Sequence, residues 1–160
     1  MGKLEQIYLA KAKRQAVERV DTATLEAGKG LVGDRYHKLA ETHLARGLPV
    51  LENHVSLVER EALDKFLSAH GLTYDYGEFR RSIITSGIDL NALVGQHFRL
   101  GEAELFGVEL CAPCAYLASI IHPAALPDLA LSAGLRATVI GSGQIRPGDS
   151  IHGISPIARS

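Results

Sequence analysis

The sequence predicts a mainly β protein with a few helices, an α+β chain whose short strands close, or nearly close, into a barrel carrying the helices on its outside. Three observations predict it. Alternating or β-branched apolar stretches recur at short spacing, at 3–9, 80–85, 97–100, 104–110, 136–140 and 150–154. Turn-forming residues separate them, most densely over 141–149 (G-S-G-Q-I-R-P-G-D). Closure satisfies the edges that so many short strands would otherwise expose. With 160 residues and no repeat or low-complexity tract, the chain is expected to be one domain over 1–160.

Each element has its own signal. Residues 3–9 alternate polar and apolar side chains, the period of a half-buried strand. A second strand is expected within 15–25. Residues 27–37 (A-G-K-G-L-V-G-D-R-Y-H) bring three glycines together and mark irregular backbone, without the spacing of a dinucleotide or Walker loop. There Lys29, Arg35 and His37 are candidates to face an anion. The alternative is a tight turn whose charges are solvated or paired with Asp34. Residues 38–53 lack a clean period and are read as a surface loop or insertion. Ser56 and Glu59 have capping-box spacing, which predicts a helix over 57–70 stopped at Gly71. Residues 72–79 read as a linker with a possible short strand. Arg80 and Arg81 then lead into a buried strand, which would turn their side chains to opposite faces. An inward guanidinium needs an anion or carboxylate to meet it. A turn at 86–89 and one helical turn at 90–95 follow, then a hairpin of two strands about Gly101-Glu102-Ala103. A helix over 115–121, a small Ala/Leu helix ending at Gly134 and two closing strands complete the chain.

The composition excludes several classes. A formal net charge of −1 gives no global field for nucleic acid or an anionic membrane. No apolar run has the length of a membrane span. The first residues have neither the order of a secretory signal nor the Ser or Thr of a myristoylation site. With two cysteines only, a disulfide framework is excluded and a reducing cytoplasm is the expected location.

Those cysteines, Cys111 and Cys114, form a C-x-x-C between an expected strand and an expected helix. Pro113 ends the strand, which places Cys114 at a helix N-terminus, where free N–H groups and the dipole favour a thiolate. Such a sulfur serves as nucleophile, sulfur carrier or soft metal ligand. A thioredoxin-type pair lacks its βαβ context here. Zinc would need His54, His97, His122 or His152 to converge on the pair. Two buried thiols packed as small apolar groups are the remaining alternative.

Several pieces in one order resemble the MOSC domain, named for the C-terminal domain of molybdenum-cofactor sulfurase. They are 30–36 (G-L-V-G-D-R-Y), 80–95 (R-R-S-I-I-T-S-G-I-D-L-N-A-L-V-G), 98–103, 110–114 (L-C-A-P-C), 134–137 (G-L-R-A), 143–145 and Gly148-Asp149. The resemblance implies a β-barrel related to the pyruvate kinase barrel domain and an essential cysteine at Cys114. It implies either a molybdenum cofactor (molybdopterin) ligated by Cys114, for reduction of N-hydroxylated small molecules, or handling of the cofactor's sulfur. In the metal-free version, Cys114 carries a persulfide supplied by a pyridoxal-phosphate-dependent cysteine desulfurase. A non-enzymatic binding domain is the third reading. Arg80 and Arg35 are expected at the cofactor's phosphate, with Arg81, Ser82 and Asn91 beside them and Asp34 or His37 assisting proton delivery. Ser82 stands where the family commonly has Asn. Neither an iron–sulfur ligand set nor a desulfurase domain is expected, so electrons or sulfur would come from a separate partner.

Overall fold

The computed structural model describes residues 2–12, 15–112 and 115–154. The position assigned to Cys114 lies outside the described residues. The elements are β1 (Gly2–Leu9), β2 (Glu18–Val20), β3 (Ala23–Glu26), β4 (Gly30–Leu31), α1 (Arg35–Ala45), β5 (Val55–Glu59), α2 (Arg60–Ala69), β6 (Ile83–Ser86), β7 (His97–Leu100), β8 (Ala103–Leu110), α3 (Ala115–Ile120), α4 (Ala125–Asp128), β9 (Leu135–Gly141), β10 (Gly143–Ile145) and β11 (Ser150–Gly153). Short 3-10 turns occupy Tyr76–Phe79 and Leu90–Leu93.

Among the described strands, seven close into a barrel in the order β1-β11-β7-β8-β9-β5-β6 and back to β1. The β1–β11 pairing, Gly2 opposite Ile151, closes the ring. Within it β5 and β6 run parallel and the other neighbours antiparallel. The strand β2 extends β1, and β10, β3 and β4 form a small second sheet. The mainly β barrel with a few helices is therefore the fold of this chain.

Strand alternation divides the apolar side chains between two cores. Leu4, Ile7, Leu57, Ile83, Phe98, Leu100, Leu105, Leu135 and Val139 fill the barrel. Their sequence neighbours Tyr8, Val58 and Ile84 face outward and pack with Leu63, Phe66 and Leu67 of α2, with Leu117 of α3, and with Ile121 and Leu129. Strands β5 and β6 are thus apolar on both faces, which is why Leu57-Val58 and Ile83-Ile84 stand as pairs.

One layer of the barrel matters most for what lies above it. Ile7 is opposite Ile83, Ile83 opposite Leu57, Leu57 opposite Leu135, and Leu135 opposite Leu110. Four of these side chains are fully buried. They floor one rim of the barrel, where β1 and β8 end and β5, β6 and β9 begin.

The structure corrects several expectations. The stretch 38–53 is not a loop throughout, because α1 runs to Ala45. Its signal was faint in the sequence because the helix buries only His37 and Ala40. The capping box at Ser56 and Glu59 does not form. Residues 55–59 are strand β5, α2 starts at Arg60, the Ser56 hydroxyl accepts the Ser82 N–H, and the Glu59 carboxylate accepts the Leu90 N–H. The apolar periodicity of 57–67 was real, but it ran through a strand into a helix sharing one core. The expected strand within 15–25 divides into β2 and β3, and 143–145 is strand rather than turn. Residues 72–79 hold a 3-10 turn and no strand, and α4 ends at Asp128, short of Gly134.

Gly134 shows how tightly the rim is built. Its φ is +120°, and a Cβ there would lie 2.1 Å from the Leu57 carbonyl oxygen. Its own carbonyl accepts the Cys111 N–H at 2.7 Å. Gly28 also has positive φ, but nothing lies within 4 Å of its missing Cβ. We expect Gly134→Ala to lower the unfolding free energy by at least about 3 kcal/mol, and Gly28→Ala by only about 1 kcal/mol. Urea denaturation midpoints of the two variants check this difference.

Candidate functional site

The floored rim opens into a cleft of about 220 Å³. Four arginines among the described residues line it: Arg35, Arg80, Arg81 and Arg136. Asp34, Tyr8, Tyr36, Asn53, His54, Ser56, Ser82, Phe79, Cys111 and Leu117 complete most of its wall. Each cation arrives by a different local device.

Arg35 begins α1. Asp34 caps that helix, its carboxylate accepting the N–H groups of Tyr36 and of Ala10 on the chain following β1. The carboxylate is 5% exposed and spends its acceptors on backbone. The Arg35 guanidinium lies 4.3 Å from the Tyr36 ring centroid and donates to the Tyr36 hydroxyl at 2.7 Å. A stacked guanidinium keeps its outer edge for a ligand.

Arg80 and Arg81 precede β6 rather than belonging to it, so the strand rule that would send them to opposite faces does not apply. Arg80 follows the 3-10 turn 76–79 with φ 63° and ψ 29°. Among the described non-glycine residues it alone has positive φ. This left-handed residue breaks the alternation, and both arginines line the same cleft. Arg81 donates through Nε to the Ala133 carbonyl at 2.8 Å, which fixes its plane. Arg80 makes no side-chain hydrogen bond or ion pair among the described residues. Arg136 is the second residue of β9, with Nε 4.0 Å from Glu109 Oε1.

The neutral groups are fixed as well. His54 is 3% exposed, with Nε2 2.6 Å from the Leu51 carbonyl and Nδ1 2.9 Å from the Val139 N–H. Nδ1 must accept, so Nε2 carries the proton and donates. Burial pushes the His54 pKa down and keeps the ring neutral. Cys111 is 2% exposed. Burial pushes its thiol pKa up; Arg81 and Arg136 pull against that and Glu109 adds to it. Chemically the cleft is a cationic hollow, with its one carboxylate committed to backbone.

Of the residues expected at a site, the structure brings Asp34, Arg35, Arg80, Arg81 and Ser82 together. His37 and Asn91 are not among the cleft's lining. His37 Nε2 is 2.8 Å from Glu26 and its Nδ1 3.5 Å from Glu41, and Lys29 pairs with the same two carboxylates. That network ties α1 to the β3–β4 turn. Asn91 donates to the Leu131 carbonyl. His97 pairs with Glu104 and His122 stacks on His70, both outside the lining. Sequence reasoning gave no role to Arg136, although it sits within 134–137, and none to Asn53, placed in a presumed loop. An arginine flanked by fully buried Leu135 and Ala137 on a strand is the signal that finds the first.

Two predictions follow from this geometry. Left-handed backbone costs an L-residue about 1–2 kcal/mol, and a glycine's entropy returns only part of that. Arg80→Gly is therefore expected to leave the thermal midpoint unchanged or raised, which calorimetry checks. For His54, the unfolded chain binds a proton that the folded chain refuses. Its contribution to stability is full above the unfolded histidine pKa, roughly 6.5, and is lost as pH falls below it. Urea midpoints at about pH 8 and about pH 5.5 should differ less in His54→Gln than in the parent.

The fold has relatives. The structure is similar to the crystal structure of the YuaD protein from Bacillus subtilis, with TM-score 0.79 and 19% identity over 97% of this chain and 98% of that one. It is similar to YiiM from Geobacillus stearothermophilus, with TM-score 0.73 and 13% identity over 97% and 76% of the two chains. YiiM from Escherichia coli gives 0.67 and 18% over 96% and 70%. At these identities the likeness is one of fold. No functionally curated protein matches the chain. The model of the MOSC domain matches residues 32–152, a span that holds Arg35, Arg80, Arg81, Cys111 and Arg136, and the chain belongs to the MOSC domain family.

Proposed function

We propose that this protein holds a phosphate-bearing molybdenum cofactor at the barrel rim, with Cys114 as the protein ligand to molybdenum. The observation that carries the reading is the convergence of Arg35, Arg80, Arg81 and Arg136 on one cleft. Guanidinium groups held at this spacing repel one another, and an anion relieves that repulsion. Phosphate suits them because its oxygens match the guanidinium fork. The cleft, about 220 Å³, is larger than a phosphate alone would fill. A larger ligand would extend past Tyr8 and Val17, which also wall a neighbouring hollow of about 500 Å³.

Within this reading the residues divide their work. Arg81, fixed by Ala133, and Arg35, fixed on Tyr36, supply oriented donors. Arg80 and Arg136 supply charge with fewer restraints. Phe79 and Leu117 shield one side of the cleft from water. Cys111 serves as a packing thiol, because burial raises its pKa where a metal ligand or sulfur carrier needs a ready thiolate. That leaves Cys114 as the reactive sulfur. When bound, the cofactor supplies two-electron chemistry able to take oxygen from an N–OH group of a small molecule. A separate protein would deliver the electrons, and a reducing cytoplasm would keep both thiols free.

Metal analysis tests the proposal. Protein purified from cells that make the cofactor should contain molybdenum near one equivalent, and Cys114→Ser should lose it. Absence of molybdenum together with one added sulfur on Cys114, read by intact mass, would replace the proposal with a persulfide carrier. Cofactor content unchanged by Cys114→Ser would remove the ligand role altogether.

A further inference from the structure

The four arginines of the cleft are strung along a row of strands. Neighbouring stretches of chain carry one line of cleft residues, Tyr8, Ser82, Ser56 and Arg136. The Tyr8 N–H donates to the Ser82 carbonyl, the Ser82 N–H donates to the Ser56 carbonyl, and Ser56 stands opposite Arg136 in the pairing of β5 with β9. Three strand spacings put about 14 Å of arc between the ends of that line. Arg136 stands at one end. Arg35 enters beyond the other, its N–H donating to the carbonyl of Ala10, two residues past Tyr8. Arg80 and Arg81 immediately precede Ser82, between the two. The side chains divide in the same way. Arg81 and Arg136 both lie close enough to Cys111 to act on its thiol, whereas Arg35 is held on the ring and hydroxyl of Tyr36.

The size of the cleft agrees with its length. At the roughly 30 Å³ that a water-sized group occupies, the four oxygens of a phosphate take about 120 Å³ and the seven of a diphosphate about 210 Å³. The cleft holds about 220 Å³. To satisfy all four guanidiniums, a single tetrahedral anion has to draw the long side chains from both ends of the row to one point, against their mutual repulsion. Two linked phosphoryl groups meet them where they stand.

Resting on the anion-binding reading of the cleft, we infer that it is built for a diphosphate, two phosphoryl groups joined in line, rather than for a lone phosphate. Arg81 and Arg136 take one phosphoryl group, Arg35 takes the other, and Arg80 stands between them. The ligand class is inorganic diphosphate or a diphosphate ester. In an ester the substituent leaves past Tyr8 and Val17, which the cleft shares with the neighbouring hollow of about 500 Å³. Tyr74, Tyr76 and Arg19 line that hollow and offer aromatic faces and a further cation to such a substituent. Arg35 and Arg136 are then the residues that distinguish a diphosphate from a phosphate, because each serves one end of the row.

The test is isothermal titration of the full chain, in a buffer free of other oxyanions and of divalent cations. The probes are inorganic phosphate, inorganic diphosphate, methylenebisphosphonate and a bisphosphonate with a three-carbon bridge. Diphosphate should bind at least about tenfold tighter than phosphate, with methylenebisphosphonate close to it. The longer bisphosphonate, similar in charge but wider in spacing, should bind more weakly than either. In Arg35→Gln, and independently in Arg136→Gln, the diphosphate-to-phosphate ratio should collapse toward one. Cations gathered about a single point would instead weaken both anions together and leave the ratio standing. Adenosine diphosphate separates the two sources: affinity at or above that of diphosphate assigns an ester, and weaker binding assigns inorganic diphosphate. Equal binding of phosphate and diphosphate by the parent chain overturns the inference and leaves the anion cleft in place. So does an advantage that survives both variants, or one that the longer bisphosphonate shares. Failure of every oxyanion to bind overturns the arginine cleft itself, and the inference with it. The spacing series needs no variant, so the inference stays testable even where a substitution prevents folding.

Discussion

Like charge gathered in one place is the constraint around which this structure is built. Four guanidinium groups stand at one rim of the barrel, with one carboxylate among them already spent on capping α1. Without a ligand such a cluster is unfavourable, and side chains with free rotamers would swing apart into water. Here two of them are held: Arg81 is tied to the Ala133 carbonyl and Arg35 to the ring and hydroxyl of Tyr36, while a left-handed backbone angle aims Arg80 at the same cleft. Strain and lost side-chain freedom are both accepted at the same spot, a pattern that belongs to binding sites more than to cores.

The barrel provides what those restraints push against. Ile7, Ile83, Leu57 and Leu135 meet in register across four strands and seal the interior directly below the rim. Water cannot enter beneath the arginines from that side. On the outer side, Phe79, Cys111 and Leu117 belong to the second apolar core, which the helices cover. The cleft is therefore an intersection of two dry cores, with polar groups only where the chain leaves or joins a strand. Charge–charge interactions are stronger in such surroundings than on an open surface, so each guanidinium counts for more.

Much of this was legible in the sequence, and what was not has physical causes. Strands such as 97–100 and 136–140 could be read because one face is buried and side chains alternate. The motif pieces around Gly30, Arg80 and Gly134 carried the family because glycines and arginines there answer to backbone geometry and charge, which spacing records. The helix α1 was hidden because it turns mostly polar residues outward and exposes Leu39 and Leu44. Strand β5 was mistaken for the first turn of a helix because Leu57 and Val58 serve opposite faces, so no alternation survives. The pairing of Arg80 with Arg81 was misjudged for a sharper reason. One positive φ reverses the direction rule for adjacent residues, and only glycine advertises such an angle in a sequence. Arg136 and Asn53 come together through pairing of distant strands, which no local pattern encodes.

The near-neutral net charge bears on this argument as well. A formal charge of −1 says that the molecule as a whole neither draws in nor repels anions at a distance. It does not limit the field inside a cleft with low-dielectric walls. Four guanidiniums against Asp34 in the lining and Glu109 beside Arg136 leave an excess of positive charge in a hollow of about 220 Å³, acting over a few ångströms, where screening by salt is weakest. The surrounding acids are spent elsewhere: Glu26 and Glu41 on Lys29 and His37, Glu5 on Arg60, Glu104 on His97. Those pairs cancel in the count without cancelling at the site. Overall composition therefore supplies no long-range pull on a polyanionic surface partner, and is silent about a small anion that fits the rim. The second property has to be read from where each charge is held, and here the holding is done by a capped helix, a left-handed residue and a carbonyl tether.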